Sequence, residues 1–434
     1  MKWLFVPLGM VTLWACGSHG NSASSATGTD AGAIDADLDA EVEGGLACDS
    51  TGVSKGPWVL HVDGTSAVVR WETCRPGTPL GVSYAPETGG SKKHATATES
   101  AFVTRRTIRV LNASAPPDFA GTWYMHDAAI TGLSPSTCYS YGLDADSTVA
   151  ARFCTARNPG DTVRFLAIGD TNPGLGFSTR DVLKHAVPLG FDFTIHGGDI
   201  EYYDSVVETY AYWFELMPSL LRGGAFMPAI GNHDSDDQTG EPDDKWEQYT
   251  DRFWGGAGFD GNDEYYAFST GGVWFLTVDT ELPTDPTSAQ FKWVESELAK
   301  ASASPGYRFS VLYLHRPFLT CGDSGDKTAE LAGMQPLFTK YKVPLVIQAH
   351  MHGYERFEVP ASGQNAALTL VTAGGGGGAI QYPSQNISRS YCNQRVVSGA
   401  WYHAAMFEIA PGQLSCKIVD DQGNVRDQFT HAVP

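Results

Sequence analysis

Basic residues are in short supply. There are 29 Lys and Arg against 49 Asp and Glu, a formal net charge of −20 over 434 residues. A surface this acidic repels nucleic-acid backbones and excludes a general DNA or RNA binder. It repels phosphate esters too, so an anionic substrate needs a local positive centre such as a metal ion. Long apolar runs are also missing: nothing beyond the first residues reads as a transmembrane helix. Residues 17–54, which contain "GSHGNSASSATGTDAGAIDADLDAEVEGG", have no Lys or Arg and almost no large apolar side chain. Such a segment cannot bury enough surface to fold and reads as a disordered acidic linker.

What stands before the linker is informative. "MKWLFVPLGMVTLWAC" has one Lys and then an apolar run too short to span a bilayer. It has the form of a secretory signal. Its end, with Leu13, Ala15 and Cys16, resembles a bacterial lipobox in which Cys16 becomes the lipidated first residue. Trp14 is bulkier than usual there, and an ordinary cleaved signal peptide is the alternative. Residues 1–16 therefore imply export: a membrane-anchored lipoprotein held only by its lipid, or otherwise a periplasmic or secreted protein. Export permits disulfides. Setting Cys16 aside leaves seven cysteines. Cys138 and Cys154 lie symmetrically about the turn "DADS", Cys321 and Cys392 lie in loops, and Cys48 with Cys74 makes a third pairing. Cys416 alternates with Leu414 and Ile418 and reads as a buried free thiol. Spacing alone does not fix this connectivity.

The region 55–157 carries short strand signals and turns. In "SAVVRWET", Val69 and Trp71 share one face, and the whole pattern suits a small antiparallel β-sandwich. "GLSPSTCYSY", with Leu133, Pro135, Thr137 and Tyr139, resembles the fibronectin type III segment leading into the tyrosine corner. In 158–434 the texture changes to apolar strands alternating with partly helical segments, the mark of an α/β layered domain. Five strands end in unusual polar residues. "VRFLAIGD" ends at Asp170, "FDFTIHGGD" at Asp199, and "AFMPAIGNHD" brings Asn232, His233 and Asp234. "RFSVLYLH" ends at His315 and "VPLVIQAH" at His350, with His352 two residues on. Function in α/β sheets gathers at the carboxyl ends of strands.

His350 and His352 pose the question. In extended chain, residues i and i+2 point the same way, so the two rings would share a target. Metal ligation and a surface or structural role both remain open for that pair alone. Asp170, Asp199, Asn232, His315, His350 and His352 together offer carboxylate, amide and imidazole. That mix suits borderline first-row metals rather than calcium or magnesium alone. There are too many donors for one tetrahedral ion, whereas two ions bridged by one carboxylate would use them all.

"GDT", "GDIEY", "GNHD", "LYLH" and "AHMHGYER" resemble the ordered blocks of the calcineurin-like metallophosphoesterases. "GDIEY" and "AHMHGYER" are similar to the purple acid phosphatase branch. The resemblance implies a fibronectin III-like β-sandwich followed by an α/β domain of two sheets flanked by helices (αββα). It implies that one ion takes Asp170, Tyr202 and His352, that the other takes Asn232, His315 and His350, and that Asp199 bridges them. A phenolate such as Tyr202 favours a trivalent ion, so the cofactor expected is Fe(III) plus Zn, Fe or Mn in the divalent state. The implied activity is hydrolysis of small-molecule phosphate monoesters, with metal-bound hydroxide as nucleophile. His233, held by Asp234, would bind the phosphoryl group or protonate the leaving oxygen.

Two features depart from that pattern. Asn172 stands where Gly is common. "RPFLTCGDSGDK" after His315 has no histidine where relatives often place substrate-facing ones, which leaves Arg316 and Lys327 as candidates for that role. "TAGGGGGA" lacks the Lys-Ser/Thr of a P-loop and reads as tight backbone packing near the site. "EIAPGQLSCKIVDDQGNVRDQFT" reads as hairpins closing the second sheet. Two other functions stay in play: phosphodiester hydrolysis on the same metal core, and a surface-anchored binding protein whose working part is the sandwich.

Overall fold

The computed structural model describes residues 50–77, 79–104, 121–171, 177–200, 207–235, 249–250, 252–253, 264–382 and 389–434. The first eight strands are β1 (Val53–Leu60), β2 (Ser66–Thr73), β3 (Gly81–Pro86), β4 (Lys93–Thr96), β5 (Thr98–Thr104), β6 (Gly121–Thr131), β7 (Cys138–Leu143) and β8 (Ala151–Cys154). They form a sandwich of β4-β3-β7-β8 against the β1-β2-β6-β5 part of a longer sheet. Alternation fills the space between: Ala67, Val69 and Trp71 from one sheet meet Tyr139, Tyr141 and Phe153 from the other. The Tyr139 hydroxyl accepts from the Ser134 N–H at 2.9 Å and so fixes the turn before β7. Cys138 and Cys154 face each other in the β7–β8 register and are disulfide-bonded.

The remaining strands are β9 (Val163–Ile168), β10 (Phe193–His196), β11 (Ala225–Pro228), β12 (Ala267–Thr270), β13 (Val273–Val278), β14 (Phe309–Leu314) and β15 (Leu345–Gln348). After these come β16 (Tyr354–Val359), β17 (Leu368–Ala373), β18 (Arg395–Gly399), β19 (His403–Ala410), β20 (Gln413–Asp420) and β21 (Val425–Ala432). One sheet of ten strands runs β21-β20-β19-β9-β10-β11-β1-β2-β6-β5, and a second of seven runs β12-β13-β14-β15-β17-β16-β18. The longer sheet is continuous through both halves of the chain, because β1 pairs parallel with β11 at Val59 and Ala225.

The two sheets pack face to face. Phe165, Ile195, Phe407 and Cys416 of one meet Phe275, Val311, Ile347 and Val371 of the other. The opposite face of the longer sheet, with Leu166 and Ile168, is covered by Val182 of the helix Phe177–Ala186 and by Trp213 and Phe214 of the helix Val207–Leu216. The second sheet's outer face, with Leu276 and Leu312, is covered by the helices Ala289–Ala303 and Thr328–Lys340. The first of these begins at Ser288, whose hydroxyl accepts from the Phe291 N–H at 3.1 Å. It then buries Phe291, Val294, Leu298 and Ala301 at helical spacing. The result is the helix–sheet–sheet–helix order, with strands such as β14 apolar on both faces because both are covered.

Four sequence expectations meet the structure here. Cys321 and Cys392 are disulfide-bonded and Cys416 is a buried free thiol. Cys74 is disulfide-bonded as well, and its expected partner Cys48 lies outside the described residues. The C-terminal hairpins are corrected: β19 to β21 close the first sheet, not the second. Residues Ala405, Phe407 and Ile409 of β19 set their apolar face beside Val163, Phe165 and Ala167 of β9, which has no other neighbour on that edge.

Candidate metal centre

The carboxyl ends of β9, β10 and β11, parallel in one sheet, meet those of β14 and β15, parallel in the other. Asp170 follows β9, Asp199 follows β10, and Asn232 opens a short helix after β11. His315 follows β14 and His350 follows β15. All but His350 and His352 are buried. Asp199 Oδ1 lies 3.3 Å from His315 Nε2, which lies 3.1 Å from both Asn232 Oδ1 and His350 Nδ1. On the other side, His352 Nε2 lies 3.4 Å from Asp170 Oδ1. The donors form two groups, Asp199–His315–His350 and Asp170–Asp199–His352, each with its donor atoms within 4.8 Å of one another. Asp199 is common to both.

The backbone at these positions is strained. Asp170, Asp199 and His350 have φ of +57°, +52° and +68°, the left-handed region that side chains rarely enter, at a cost of about 1–3 kcal/mol each. Cross-braces hold them. The Asp170 N–H donates to Gly198 O at 3.0 Å and the Thr171 N–H to Asp199 O at 3.1 Å. The His350 N–H donates to Asp170 Oδ2 at 2.8 Å. Asp234, expected against the His233 ring, accepts from the backbone N–H groups of Asp199 at 2.8 Å, Ile200 at 3.0 Å and Gly231 at 2.9 Å. It thereby ties the β10 and β11 ends together. Gly231 allows that approach, since a Cβ there would lie 2.2 Å from both N and Oδ1 of Asp199.

The two histidines of "AHMH" reach the site by another route than extended chain. The strand stops at Gln348, and the left-handed His350 starts a turn. The rings consequently serve different groups of donors. The glycine run packs against the same turn, as expected: the Gly378 N–H donates to Asp170 O at 2.7 Å, and a Cβ on Gly374 would lie 2.8 Å from Asp170 Oδ2.

Electrostatics follow from burial and proximity. Burial would push the Asp199 carboxyl up, but His315 and His233 outweigh it and hold it well below the carboxylate range. Burial would push His315 down, and Asp199 outweighs that to raise it to about 10. Burial, helped by His315, drives His350 down to about 3. Burial would lower His352 too, but the bond to Asp170 raises it.

These residues fit metal ions. Among the described residues the buried Asp199 Oδ2 has no hydrogen-bond partner, a costly state for a carboxylate oxygen unless an ion completes it. The surrounding donors are the imidazole nitrogens and carboxylate and amide oxygens that borderline divalent and trivalent ions take. Tyr202 and Asn172 lie outside the described residues. The described group Cys138, Cys154 and Asp192 also has donor spacing, but its two thiols are spent in the disulfide.

Sequence reasoning missed residues beneath and beside the centre. The Thr171 hydroxyl accepts from Trp213 Nε1–H at 2.9 Å and donates to Ile200 O at 2.9 Å, so His196 Nε2, 3.0 Å away, must be a donor. Burial drives the His196 ring down to about 3, and it props the Asp170 loop from below as a neutral group. Asp279 follows β13 one strand over from His315, and burial pushes its carboxyl up to about 7. The same rule that found the five strand ends applies to "VWFLTVDTE" and would have flagged Asp279. Glu355 and Gln348 hold the loop after His315: Glu355 accepts from Thr320 Oγ1 at 2.6 Å, and Gln348 Oε1 accepts from the Phe318 N–H at 3.1 Å.

A family model described as Calcineurin-like phosphoesterase matches residues 163–354, and one described as Purple acid Phosphatase, N-terminal domain matches residues 58–155. The chain is 26% identical over 268 residues to Purple acid phosphatase 15 of Arabidopsis thaliana, covering 54% of this chain and 49% of that protein. It is 24% identical over 326 residues to Purple acid phosphatase 13 of the same plant, covering 61% and 58%. The chain thus spans about half the length of the curated relatives it matches. In fold it is similar to the solved purple acid phosphatase PPD1 of yellow lupin (Lupinus luteus) seeds, with a TM-score of 0.68, 18% identity and coverage of 88% and 75%.

Proposed function

We propose that this chain, matched by the Calcineurin-like phosphoesterase model and by the purple acid phosphatase N-terminal model, is a purple acid phosphatase-like metallophosphoesterase that hydrolyses phosphate monoesters at a dinuclear metal centre. The observation that carries this is the shared carboxylate: two overlapping groups of donors meet at Asp199, whose second oxygen is buried without a partner. Asp170, His352 and Tyr202 would hold one ion, Fe(III), and Asn232, His315 and His350 a divalent one, with Asp199 between them. Ions so placed supply Lewis acidity toward water and phosphoryl oxygen when bound. The protein's own task is placement and proton handling. His315 is fixed by its bond from Nδ1 to Gly197 O at 2.9 Å, and His352 by its bond from Nδ1 to Ala379 O at 2.9 Å. Each ring therefore presents Nε2 to the centre. The His233 N–H donates to Asp199 Oδ1 at 2.9 Å, which seats His233 at the rim. Its ring is the group that donates a proton to the leaving oxygen.

The second reading, phosphodiester hydrolysis, uses the same residues. Assays of a monoester and a diester with one common leaving group decide between them. A binding protein would hydrolyse neither. Tyr202→Phe tests the iron assignment: the oxidised wild type should be coloured, and the variant should lose or shift that band while keeping its fold. A two-metal wild type with no iron and no visible band would overturn it. The same proposal places the enzyme outside the cytoplasm, tethered through Cys16. Wild type should fractionate with membranes in a bacterial host and Cys16→Ser should not be lipidated. Recovery of wild type only in the soluble fraction, with its N-terminus cut elsewhere, would remove the anchor.

A further inference from the structure

We infer that Arg316 is the phosphate-orienting residue of this site and tips it toward monoesters over diesters. The inference rests on the hydrolase reading above and adds the group that recognises the substrate's charge.

Arg316 follows His315 directly, so the strand that delivers one candidate ligand delivers a guanidinium to the same rim. Its backbone N–H donates to Thr280 Oγ1 at 2.9 Å. Its side chain is forked onto Glu281, with Nε to Oε1 at 2.7 Å and Nη2 to Oε2 at 3.0 Å. A bidentate fork fixes the plane of the guanidinium. The third nitrogen, Nη1, lies 3.2 Å from Nε2 of His350, a candidate ligand. The side chain is 31% exposed, so a soluble ester can reach it. Lys327, the other cation considered for this role, is paired instead with Glu330 on its own helix at 3.7 Å.

The contact with His350 holds only while Nε2 is an acceptor. His350 turns Nδ1, not Nε2, toward His315 Nε2. A neutral ring that gives its Nδ1 lone pair to an ion carries its hydrogen on Nε2, and a guanidinium has only donors. Two donors then face each other, and Nη1 must find another acceptor. Glu281 is already used by the other two nitrogens. In a chain of net charge −20, the acceptor that belongs beside an ion pair is a phosphoryl oxygen. A monoester presents a dianionic terminal group and a diester only a monoanion, so a fixed positive charge favours the monoester.

The test uses the full chain loaded with two metal equivalents. Arg316→Gln should retain the wild-type metal content, bind inorganic phosphate about ten- to a hundredfold more weakly by calorimetry, and lose more kcat/KM on an aryl phosphate monoester than on the diester with that leaving group. Arg316→Lys should recover part of the phosphate affinity but less of the monoester preference. Unchanged phosphate affinity in a two-ion Arg316→Gln protein overturns the assignment, as does an equal loss on the two esters. A wild type that binds phosphate through Arg316 and hydrolyses neither ester would remove the hydrolase reading and leave Arg316 as the anion contact.

Discussion

Two buried carboxylates in one continuous sheet system have opposite surroundings. Glu72, on β2 of the sandwich, is fully buried and fully answered: Lys55 and Ser54 donate to Oε1 and Arg252 donates to Oε2 at 3.1 Å. Burial would raise its carboxyl, but Lys55 and Arg252 outweigh that and hold it below the ordinary range. Asp199, at the end of β10, is as deeply buried, yet among the described residues its Oδ2 meets no hydrogen-bond donor, and its backbone is left-handed. A carboxylate with both oxygens answered by protein donors builds structure. One with an oxygen left over, in strained backbone, is fitted to hold an ion. That difference separates the scaffold half from the working half better than burial or composition does.

The comparison can be broken in several ways, and turnover should show the largest effect. His233→Ala should lower kcat by about 10²- to 10⁴-fold, the range for a lost general acid, while two ions per chain remain. An ion count that falls with activity would make His233 a ligand, not a proton donor. Glu72→Ala comes next and should act on stability alone. It removes the carboxylate to which the buried Lys55 and Arg252 donate, a loss of about 3–5 kcal/mol, read from denaturant melts with metal content per folded chain unchanged. Asp199→Asn should cost the metal-free protein clearly less. Its neighbour His315 can shed its proton, whereas Arg252 cannot. Equal losses for the two variants would erase the distinction drawn between them.

The smallest effect is in pH. In the metal-free protein the His315 value is raised from 6.5 to about 10, so its imidazolium contributes stability that is full below 6.5 and is lost as the pH rises through about 10. Asp199 is depressed below 3.8, so its contribution is present above that value and is lost as the pH falls. The pair is strongest between those limits. Ligation needs neutral His315, so ion uptake at pH 7 should release about one proton from it per chain. Calorimetry in buffers of different ionisation enthalpy measures it, and a buffer-independent enthalpy would contradict the His315–Asp199 coupling.

The parts readable from sequence were those written locally. An apolar strand ending in Asp, Asn or His is a short pattern, and it located Asp170, Asp199, Asn232, His315, His350 and His352. Cys138 and Cys154 sat symmetrically about one turn, and the β7–β8 register follows from that symmetry. What escaped was non-local. Nothing near "EIAPGQ" says that β19 returns to β9, because that pairing joins residues far apart in the chain. The prop under Asp170 combines Thr171, His196 and Trp213, and no spacing relates them. The Asp234 carboxylate also reaches across to the β10 end, a contact that its place beside His233 in sequence does not announce. His350 and His352 both reach the donor groups but not by the expected geometry, since a left-handed φ replaces the extended chain that two-residue spacing assumes.

Elemental analysis of purified wild type and Asp199→Ala shows whether two ions share Asp199. Two transition-metal ions per wild-type chain, iron among them, and loss of both from a folded Asp199→Ala protein is the result expected. A folded Asp199→Ala protein that still holds two ions would contradict the shared carboxylate.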